Sequence, residues 1–260
     1  MRAMHAEWTK LRTLPSTGWL ALLAIAATVG VSLAITGSLD YTHCGEPCTL
    51  DTAKLSLAAV RLSQVPILVL AVMAVTAEYG TRTIRLTMLS VPRRFPVVLG
   101  KLGVLAIVGV ATGMVAVAGA LAVGRAILPG NGFTAAVGFP PLSLADGLIR
   151  RAAVGTVVYI GLVALLGAGL GLLLRDTAGT ITAVLGLVYG PPIAAMFVSD
   201  PVWQHRLHRY GPMDAGLAIQ ATRDLTAEHI GPWAGLGVLS LYAGAAVVAG
   251  LLAFQLRDAG

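Results

Sequence analysis

The sequence predicts an all-α integral membrane protein built from six transmembrane helices. Of its 260 residues, 57% are hydrophobic and 12% are charged, and the mean hydropathy is +0.83. A soluble globular domain carries more charged side chains on its surface than this. Six apolar runs reach the length of about 20 residues that a helix needs to cross a bilayer. They cover 18–37, 56–77, 99–123, 153–174, 179–198 and 234–255. We see no sign of a second domain, so residues 1–260 are expected to form one transmembrane domain.

Ahead of the first run, residues 1–17 are expected to form an amphipathic helix on the membrane surface. Met4, Trp8 and Leu11 recur at helical spacing, and charged side chains lie between them. Pro15 ends this helix, because proline lacks the backbone donor that an interior position needs. The first apolar run has no small-residue cleavage site after it, so it is expected to stay as a span.

Between the second and third runs, residues 78–101 form a basic segment, EYGTRTIRLTMLSVPRRFPVVLGK. One acid, Glu78, stands against five basic side chains: Arg82, Arg85, Arg93, Arg94 and Lys101. Basic loops beside apolar runs are typical of the cytoplasmic side of a membrane. Ile84 and Met88 fall on one helical face, and Pro92 stops a helix. We therefore expect a short amphipathic helix beneath the membrane, of the kind that contacts a partner.

Six spans place both termini on the same side of the membrane, and the charges indicate which side. If the termini are cytoplasmic, the inner segments carry ten basic residues: Arg2, Lys10, Arg12, Arg82, Arg85, Arg93, Arg94, Lys101, Arg175 and Arg257. The inner acids are four: Glu7, Glu78, Asp176 and Asp258. The outer segments then carry eight residues of each sign, so the whole net charge of +6 lies inside. We predict a multi-pass protein of an inner or plasma membrane with both termini cytoplasmic.

The later spans carry three further signals. Arg150 and Arg151 lie just before the fourth run, where they are expected to snorkel to the interface or to pair with Asp146. A five-span protein with an inverted C-terminal half is the alternative. Only residues 175–178 separate the fourth and fifth runs, so these helices should be antiparallel neighbours. The proline pair at 191–192 should kink or end the fifth helix.

The basic segment also carries a family resemblance. Glu78-Tyr79-Gly80-Thr81 is followed by Thr-Ile-Arg-Leu-Thr, then by Pro92-Arg93-Arg94 and by Lys101 at the start of the next run. This pattern resembles the first cytoplasmic loop of type-2 ABC exporter permeases, and the order of spans agrees over nearly the whole chain. The hairpin GLGLLLRDTAGTIT, residues 169–182, is similar to the fourth-to-fifth hairpin of the same permeases.

The resemblance implies the permease subunit of an ATP-driven exporter that moves a hydrophobic substrate outward. It implies an N-terminal elbow helix at 1–17, a coupling helix within 78–101 and an outer cap at 199–233 before the last span. The expected partners are two copies of an ABC ATPase and a second copy of this permease, or a homologous permease, within the lipid bilayer. ATP and magnesium would bind to the ATPase.

No nucleotide-binding motif is evident in the chain itself, so we expect it to be neither an enzyme nor a cofactor-binding protein. Gly100-Lys101 resembles the end of a P-loop, but Phe95 occupies the position of its first glycine and no Ser or Thr follows. Nucleic-acid binding is not expected either, because the basic residues flank apolar runs without interleaved aromatic side chains.

The residues expected to couple the permease to its ATPase are the polar and turn-forming ones of the resembling segment: Glu78, Tyr79, Gly80, Thr81, Arg85, Pro92 and Arg93. The alternative is that Arg93, Arg94 and Lys101 only fix the topology, each headgroup contact contributing about 1 kcal/mol.

A substrate path is expected along the inner halves of the second and fifth spans, because prolines give these helices the breaks that moving walls often use. Its candidate residues are Pro66, Val69, Met73 and Val184. In the same second span, Arg61, Ser63 and Gln64 are polar groups that tend to face a bundle interior or cavity. Arg61 lies near the outer end of the span, so snorkelling is the favoured interpretation of that side chain.

Two clusters could hold a metal or a disulfide. Cys44 and Cys48, in HCGEPC, are predicted to lie outside the membrane, where a disulfide, free thiols and a metal site with His43 and Glu46 are all open. His205 and His208 lie three positions apart, as some metal ligands do. A solvated cap is the favoured interpretation of these two, because we see no acid or Cys spaced to complete a site.

Two rival functions remain. A secondary transporter is disfavoured because the six spans contain no acidic residue, and coupling to protons or sodium usually needs one. A membrane protein that is not a transporter, such as an immunity or sensor subunit or an intramembrane enzyme, is the second. The enzyme is disfavoured because no span contains a histidine. Small-residue pairs such as Gly109/Gly113, Gly167/Gly171 and Gly186/Gly190 are expected to pack within one chain rather than at a dimer seam.

Overall fold

A computed structural model of the chain describes residues 15–44, 48–80, 94–226 and 228–257. Nine α-helices lie in these residues: α1 Pro15–Ser38, α2 Thr52–Leu57, α3 Val60–Gly80, α4 Arg94–Ile127, α5 Gly147–Leu174, α6 Thr177–Phe197, α7 Pro201–Tyr210, α8 Pro212–Leu217 and α9 Pro232–Arg257. Three short 3-10 turns connect them, at Tyr41–His43, Ala135–Val137 and Ala218–Gln220. Across the described ranges we find no β-strand.

Six of these segments are long and apolar enough to cross a membrane, which confirms the predicted all-α fold. They are α1, α4, α5, α6, α9 and the α2–α3 pair, which together cover Thr52–Ala77. Side-chain contacts give their directions. Thr28 of α1 bonds Ser63 near the start of α3, and Thr76 near the end of α3 bonds Thr177 at the start of α6. The chain therefore crosses the bundle six times, and Pro15 and Arg257 lie towards the same end.

We name the two ends of the bundle for what lies there. At the cap end, α1, α4 and α6 finish, and the segment from α7 to residue 226 covers the helix ends. At the hairpin end, α5 turns directly into α6. Arg175 closes α5 in a left-handed conformation with φ of 61°, and the Asp176 carboxylate caps α6 by accepting a hydrogen bond from the Gly179 amide. The two helices are antiparallel neighbours, as predicted.

Helix α5 is the centre of the bundle because its glycines let neighbours approach closely. A Cβ built on Gly169 would lie 2.6 Å from backbone atoms of Ala246 in α9, and one on Gly167 would lie 3.2 Å from the Leu68 carbonyl of α3. Gly109 of α4 faces α5 in the same way. A Cβ built on Gly186 of α6, by contrast, would have no atom of another helix within 4 Å. The glycine pairs of α4 and α5 thus pack within the chain, and that of α6 faces open space.

The loop between α4 and α5 folds over the cap end around three aromatic rings. Tyr41, Phe133 and Phe139 meet edge to face, with centroids 5.1 to 6.1 Å apart. Their edge-to-face packing is a favoured geometry for aromatic pairs. The loop is therefore a compact element with its own small core.

Several predicted boundaries differ from the observed ones. Helix α5 begins at Gly147 rather than at residue 153, because the Asp146 carboxylate accepts a 2.7 Å hydrogen bond from the Leu148 amide and caps the helix there. Arg151 accordingly lies on the helix, and its guanidinium donates to the Ala221 carbonyl rather than to Asp146. Helix α6 continues through the proline pair to Phe197, so the prolines do not end it.

Candidate functional site

The residues predicted to couple the protein to an ATPase lie at the hairpin end or outside the described part of the chain. Glu78, Tyr79 and Gly80 form the last turn of α3. Thr81, Arg85, Pro92 and Arg93 lie outside the described residues, as do the predicted amphipathic helix around residues 81–89 and residues 1–14 of the expected elbow. The connection from Gly80 to Arg94 thus joins two long helices at one end of the bundle.

Lys101, which closes the basic segment, points into the bundle. Its side chain is 7% exposed, and Nζ donates a 3.2 Å hydrogen bond to the Ala74 carbonyl of α3. A lysine that only anchored the chain to lipid headgroups would extend towards water instead. Lys101 therefore links α4 to the last turns of α3, just before the segment predicted to contact a partner.

The four residues predicted for a substrate path do not share one surface. Pro66, Val69 and Met73 follow one face of α3 at helical spacing and are partly open, Met73 to 39%. Val184 of α6 is fully buried in the core. In this conformation the open part of the predicted path is a stripe along α3 alone.

A buried polar network occupies the cap end, and Gln64 of α3 is its centre. The Gln64 side chain is 1% exposed, and Nε2 lies 3.0 to 3.1 Å from the Arg61 carbonyl, the Tyr189 hydroxyl and the Met213 sulfur. Oε1 accepts a hydrogen bond from the fully buried Tyr159 hydroxyl. The amide has two hydrogens for three acceptors, so its donors are saturated. One side chain thus connects α3, α5, α6 and α8.

Arg61 joins this network to the cap. Its carbonyl also accepts a hydrogen bond from Tyr189, and its half-exposed guanidinium lies 3.1 Å from Asp214 Oδ1, an ion-pair distance without hydrogen-bond alignment. Asp214 Oδ2 accepts a 2.7 Å hydrogen bond from Nδ1 of His208. The Asp214 carboxylate is therefore shared between α3 and α7. We call six side chains the cap cluster: Arg61, Gln64, Tyr159, Tyr189, His208 and Asp214.

Two more histidines pack against the cap cluster. The His229 ring stacks on His208 at 5.0 Å, and His205 meets His229 edge to face, also at 5.0 Å. Burial lowers the pKa of His229 below its ordinary 6.5, and the neighbouring His208 and His205 lower it further. His229 is accordingly held in its neutral form at neutral pH.

A polar cavity of about 220 Å³ lies between the cap cluster and α2. The Lys54–Glu228 ion pair lines it on one side, and the Arg61–Asp214 pair lines it on the other. Charges of both signs face the cavity, so it has no net preference for an anion or a cation. Two side-chain ion pairs thus form the charged part of its lining.

Asp51, ahead of α2, fastens the remainder of the cap. Its carboxylate caps α2 through the Lys54 amide and accepts hydrogen bonds from the Thr222 and Arg223 amides, the latter at 2.8 Å. The Arg223 guanidinium lies 4.0 Å from the centroid of the Phe139 ring. The helical part of the segment after α8 consequently ends at Gln220, because the Thr222 and Arg223 amides bond to Asp51 instead of continuing a helix.

Some members of this site are recognisable in the sequence, but the contacts between them are not. Arg61 and Gln64 are recognisable as polar residues within a span. The sequence favours snorkelling of Arg61 to the interface and does not indicate Asp214, with which its guanidinium pairs. His205 and His208 were noted without a carboxylate to complete a site, whereas Asp214 follows across the Gly211–Pro212 corner. Tyr159 and Tyr189 gave no signal, because a tyrosine within an apolar run does not reveal where its hydroxyl points.

A disulfide joins Cys44 and Cys48 at the cap end, with Cα atoms 5.5 Å apart. In the part of the chain that the structure describes, no group of three or more His, Cys, Asp or Glu side chains is arranged to hold a metal ion. This includes the three histidines near the cap cluster, which pack through their ring faces and edges.

Comparison with known proteins does not assign the chain to a family. No family model matches the chain, and no curated protein matches it.

Proposed function

We propose that this chain is the permease subunit of an ATP-driven exporter of the type-2 ABC class. The observation that carries the proposal is the course of α3. It ends with Glu78-Tyr79-Gly80, the start of the segment that resembles the family's coupling loop, and it carries Arg61 and Gln64 near its other end. A 21-residue helix is about 30 Å long. One continuous helix, interrupted only by Pro66 in its backbone bonding, thus connects the proposed ATPase contact with the cap cluster.

The proposed orientation has the hairpin end in the cytoplasm and the cap end outside. The positive-inside rule supports it, because the excess of basic residues then lies inside. The contact between Lys101 and the Ala74 carbonyl supports transmission from the segment to the bundle. ATP-driven closure of two ATPase subunits would push on the connection between α3 and α4, and α3 would move relative to α5.

Release of substrate would then require the cap cluster to separate. Arg61 leaves Asp214 when α3 moves away from α8, and the polar cavity opens outward. When the cavity is closed, the positive and negative side chains around it compensate one another, and when it is open, water hydrates them. Neither state leaves an unpaired charge in a dry site. The partly open stripe of Pro66, Val69 and Met73 would contact a hydrophobic substrate.

The second permease copy would pack against α6. The exposed face of α6 includes Gly186 and Gly190. A Cβ built on either glycine would have no atom of another helix within 4 Å, and glycines at such positions can admit a close helix neighbour. Helix α6 is also among the least buried of the membrane-length helices, with 22% of its apolar window buried. A dimer with a helix seam here would cover this face.

Purification in mild detergent tests the proposal directly. The tagged chain should bring down an ABC ATPase in a two-to-two complex, and ATP should drive substrate out of cells. Glu78→Lys and Arg85→Glu should leave expression and membrane insertion intact but uncouple ATP hydrolysis from export, because each removes one surface contact. Arg150→Glu, a charge reversal at the cap end, is the matched control and should be silent. Normal coupling in both Glu78→Lys and Arg85→Glu would contradict the assigned contact.

A further inference from the structure

Helix α7 lies at the level where a membrane-length helix ends. It begins at Pro201, four positions after Phe197 of α6, where the Asp200 carboxylate accepts a 2.8 Å hydrogen bond from the Val202 amide and starts the helix. Trp203, Leu207 and Tyr210 recur at helical spacing, Pro201 and Val202 add apolar surface at its start, and the other residues of the helix are polar. Such a helix is expected to lie along the headgroup boundary of the bilayer.

The apolar side chains of α7 are largely uncovered by the chain. Val202 is 59% exposed, and Trp203 and Tyr210 are each 55% exposed. Tryptophan and tyrosine favour the membrane interface, because the ring is apolar while the indole N–H or the hydroxyl can still reach water. This surface is therefore shaped for contact with lipid at the headgroup level.

Two exposed arginines on the same helix have no acidic partner among the residues that the structure describes. Arg206 and Arg209 are exposed, and neither has a carboxylate within ion-pair distance in the described residues. Their contacts are with rings: Arg206 lies 5.2 Å from the Trp203 ring centroid, and Arg209 lies 5.6 Å from that of Tyr210. Arg61, in contrast, is neutralised by Asp214.

Helix α7 alone lines one shallow, open surface cavity of about 380 Å³, and Trp203 borders it through its contact with Arg206. Its lining is Pro201, Val202, His205, Arg206, Arg209 and Tyr210. The two guanidiniums, three positions apart on a helix, have Cβ atoms about 5–6 Å apart and can both reach one anion. Guanidinium groups bind phosphate through paired, charge-assisted hydrogen bonds. The proline, valine and tyrosine surfaces offer an apolar wall beside that position.

We infer that this cavity binds an anionic phospholipid, with the phosphate between Arg206 and Arg209 and the upper acyl chain along Val202 and Trp203. The ligand must combine a phosphate with an apolar tail, because the cavity offers both surfaces side by side. The inference depends on the membrane position of α7 and not on the exporter function. Because α7 also carries His208, the bound lipid would hold in place the helix that contacts Asp214.

Quenching of Trp203 by brominated lipid tests this. The full chain, with Trp8, Trp19 and Trp233 replaced by Phe, is placed in nanodiscs of phosphatidylcholine with a minor fraction of phosphatidylglycerol. Two preparations have the same composition and differ only in which lipid carries bromine. We expect phosphatidylglycerol to be enriched about threefold or more beside Trp203 over random mixing, since each basic residue near a membrane surface favours anionic lipid by several-fold. The double variant Arg206→Gln, Arg209→Gln should return the ratio to random mixing.

Three controls keep the result interpretable. Arg150→Gln removes an exposed arginine at the same end of the bundle, outside this cavity, and should not change the enrichment. A single-Trp protein that retains Trp233 instead of Trp203 should show no enrichment of its own. Inorganic phosphate at millimolar concentration should not displace the lipid. Equal quenching by both lipids, absence of quenching, an unchanged ratio in the double variant, or displacement by free phosphate would each overturn the inference.

Discussion

The two ends of the bundle are held together in different ways. At the cap end, side chains from α2, α3, α5, α6, α7 and α8 meet in hydrogen bonds and ion pairs centred on Gln64, Asp214 and Asp51. At the hairpin end, the described residues form fewer polar links between helices, such as Thr76–Thr177 and Lys101–Ala74, whereas close glycine contacts occur at both ends. Each polar link depends on the alignment of its donor and acceptor, so the cap end has more such contacts to break if it opens. In the proposed exporter, the cap end would be the part that opens, and the hairpin end would be the part that transmits movement.

The largest expected effect concerns which end faces the cell exterior. After reduction, Cys44 and Cys48 at the cap end should react with a membrane-impermeant maleimide added to intact cells. In a protein with both replaced by Ser, Arg93→Cys should react only after the cells are opened, because the basic segment is proposed to be cytoplasmic. The measurement is gel-shift labelling of intact and lysed cells. Labelling of the second protein in intact cells would reverse the assignment of the two ends.

A steric change at the cap should cause the next largest loss. A Cβ at Gly235 of α9 would overlap the Ala215 carbonyl of α8, so Gly235→Ala must push the cap away from α9. We expect a loss of about 3 kcal/mol, as for overpacked cores, and a clear drop in the melting temperature in detergent. Gly237→Ala, on the same helix with nothing within 4 Å, should instead stabilise by about 0.4–1 kcal/mol. Equal melting temperatures in the two variants would mean that α8 is not seated on α9.

Removing one polar side chain at each end of the bundle should lower the stability by unequal amounts. Gln64→Leu leaves the buried Tyr159 hydroxyl without its acceptor, which should cost about 1–3 kcal/mol. Thr76→Val removes the link at the hairpin end, but Thr177 is only partly buried and can bond to water, so the loss should be about 1 kcal/mol or less. Thermal unfolding followed by circular dichroism gives both values. A larger loss for Thr76→Val would contradict the contrast between the ends.

The smallest expected effect is on the pH dependence of the cap. The pKa of His229 is lowered below 6.5, so stability from its neutral form is present above that value and is lost as the pH falls through the lowered pKa. The charged and titratable groups around it are His205, His208, Asp214, Glu228, Lys54 and Arg61. Protonation of His229 adds a positive charge beside the His205 and His208 rings. The Glu228 and Asp214 carboxylates compensate this charge only in part.

Hydrogen exchange of residues 201–226, corrected for the intrinsic effect of pH, measures this loosening. We expect exchange to rise about two- to fivefold more below pH 6 than in His229→Gln, the range typical of exposed charge pairs. His43→Gln, which changes an exposed histidine at the same end, should behave like the unchanged protein. Identical pH profiles for the unchanged protein and His229→Gln would show that another group governs the cap.

The sequence predicted the helices better than their contacts. An apolar run of 20 or so residues is a local signal, and all six membrane-length segments follow from it. Boundaries shifted where a single capping side chain decided them, as Asp146 and Asp51 do. The break between α2 and α3 had no such signal, and the expected second span begins inside α2. The prolines of α6 could equally have ended the helix, because proline removes donors without fixing what replaces them.

The candidate site was harder to predict because its members are far apart in the chain. Gln64 and Tyr159 are 95 positions apart, and Arg61 and Asp214 lie on helices separated by three membrane crossings. Hydrophobic periodicity shows which face of a helix is apolar but not which polar residue on another helix it meets. The histidines illustrate this directly, since ligand spacing along α7 gave no indication of Asp214 or His229. Membership of the cap cluster therefore needed the structure.

The bonds to Asp51 also fix an order of events during synthesis. Its carboxylate is held by amides 171 and 172 positions later, beyond four membrane crossings. At a translation rate of about 5–20 residues per second, on the order of ten seconds or more pass before those amides leave the ribosome. Until then Asp51 can only be satisfied by water and by the start of α2. The cap must accordingly close after α3 to α6 have been inserted, so a nascent chain arrested before residue 222 would expose an open bundle to the cellular quality-control machinery.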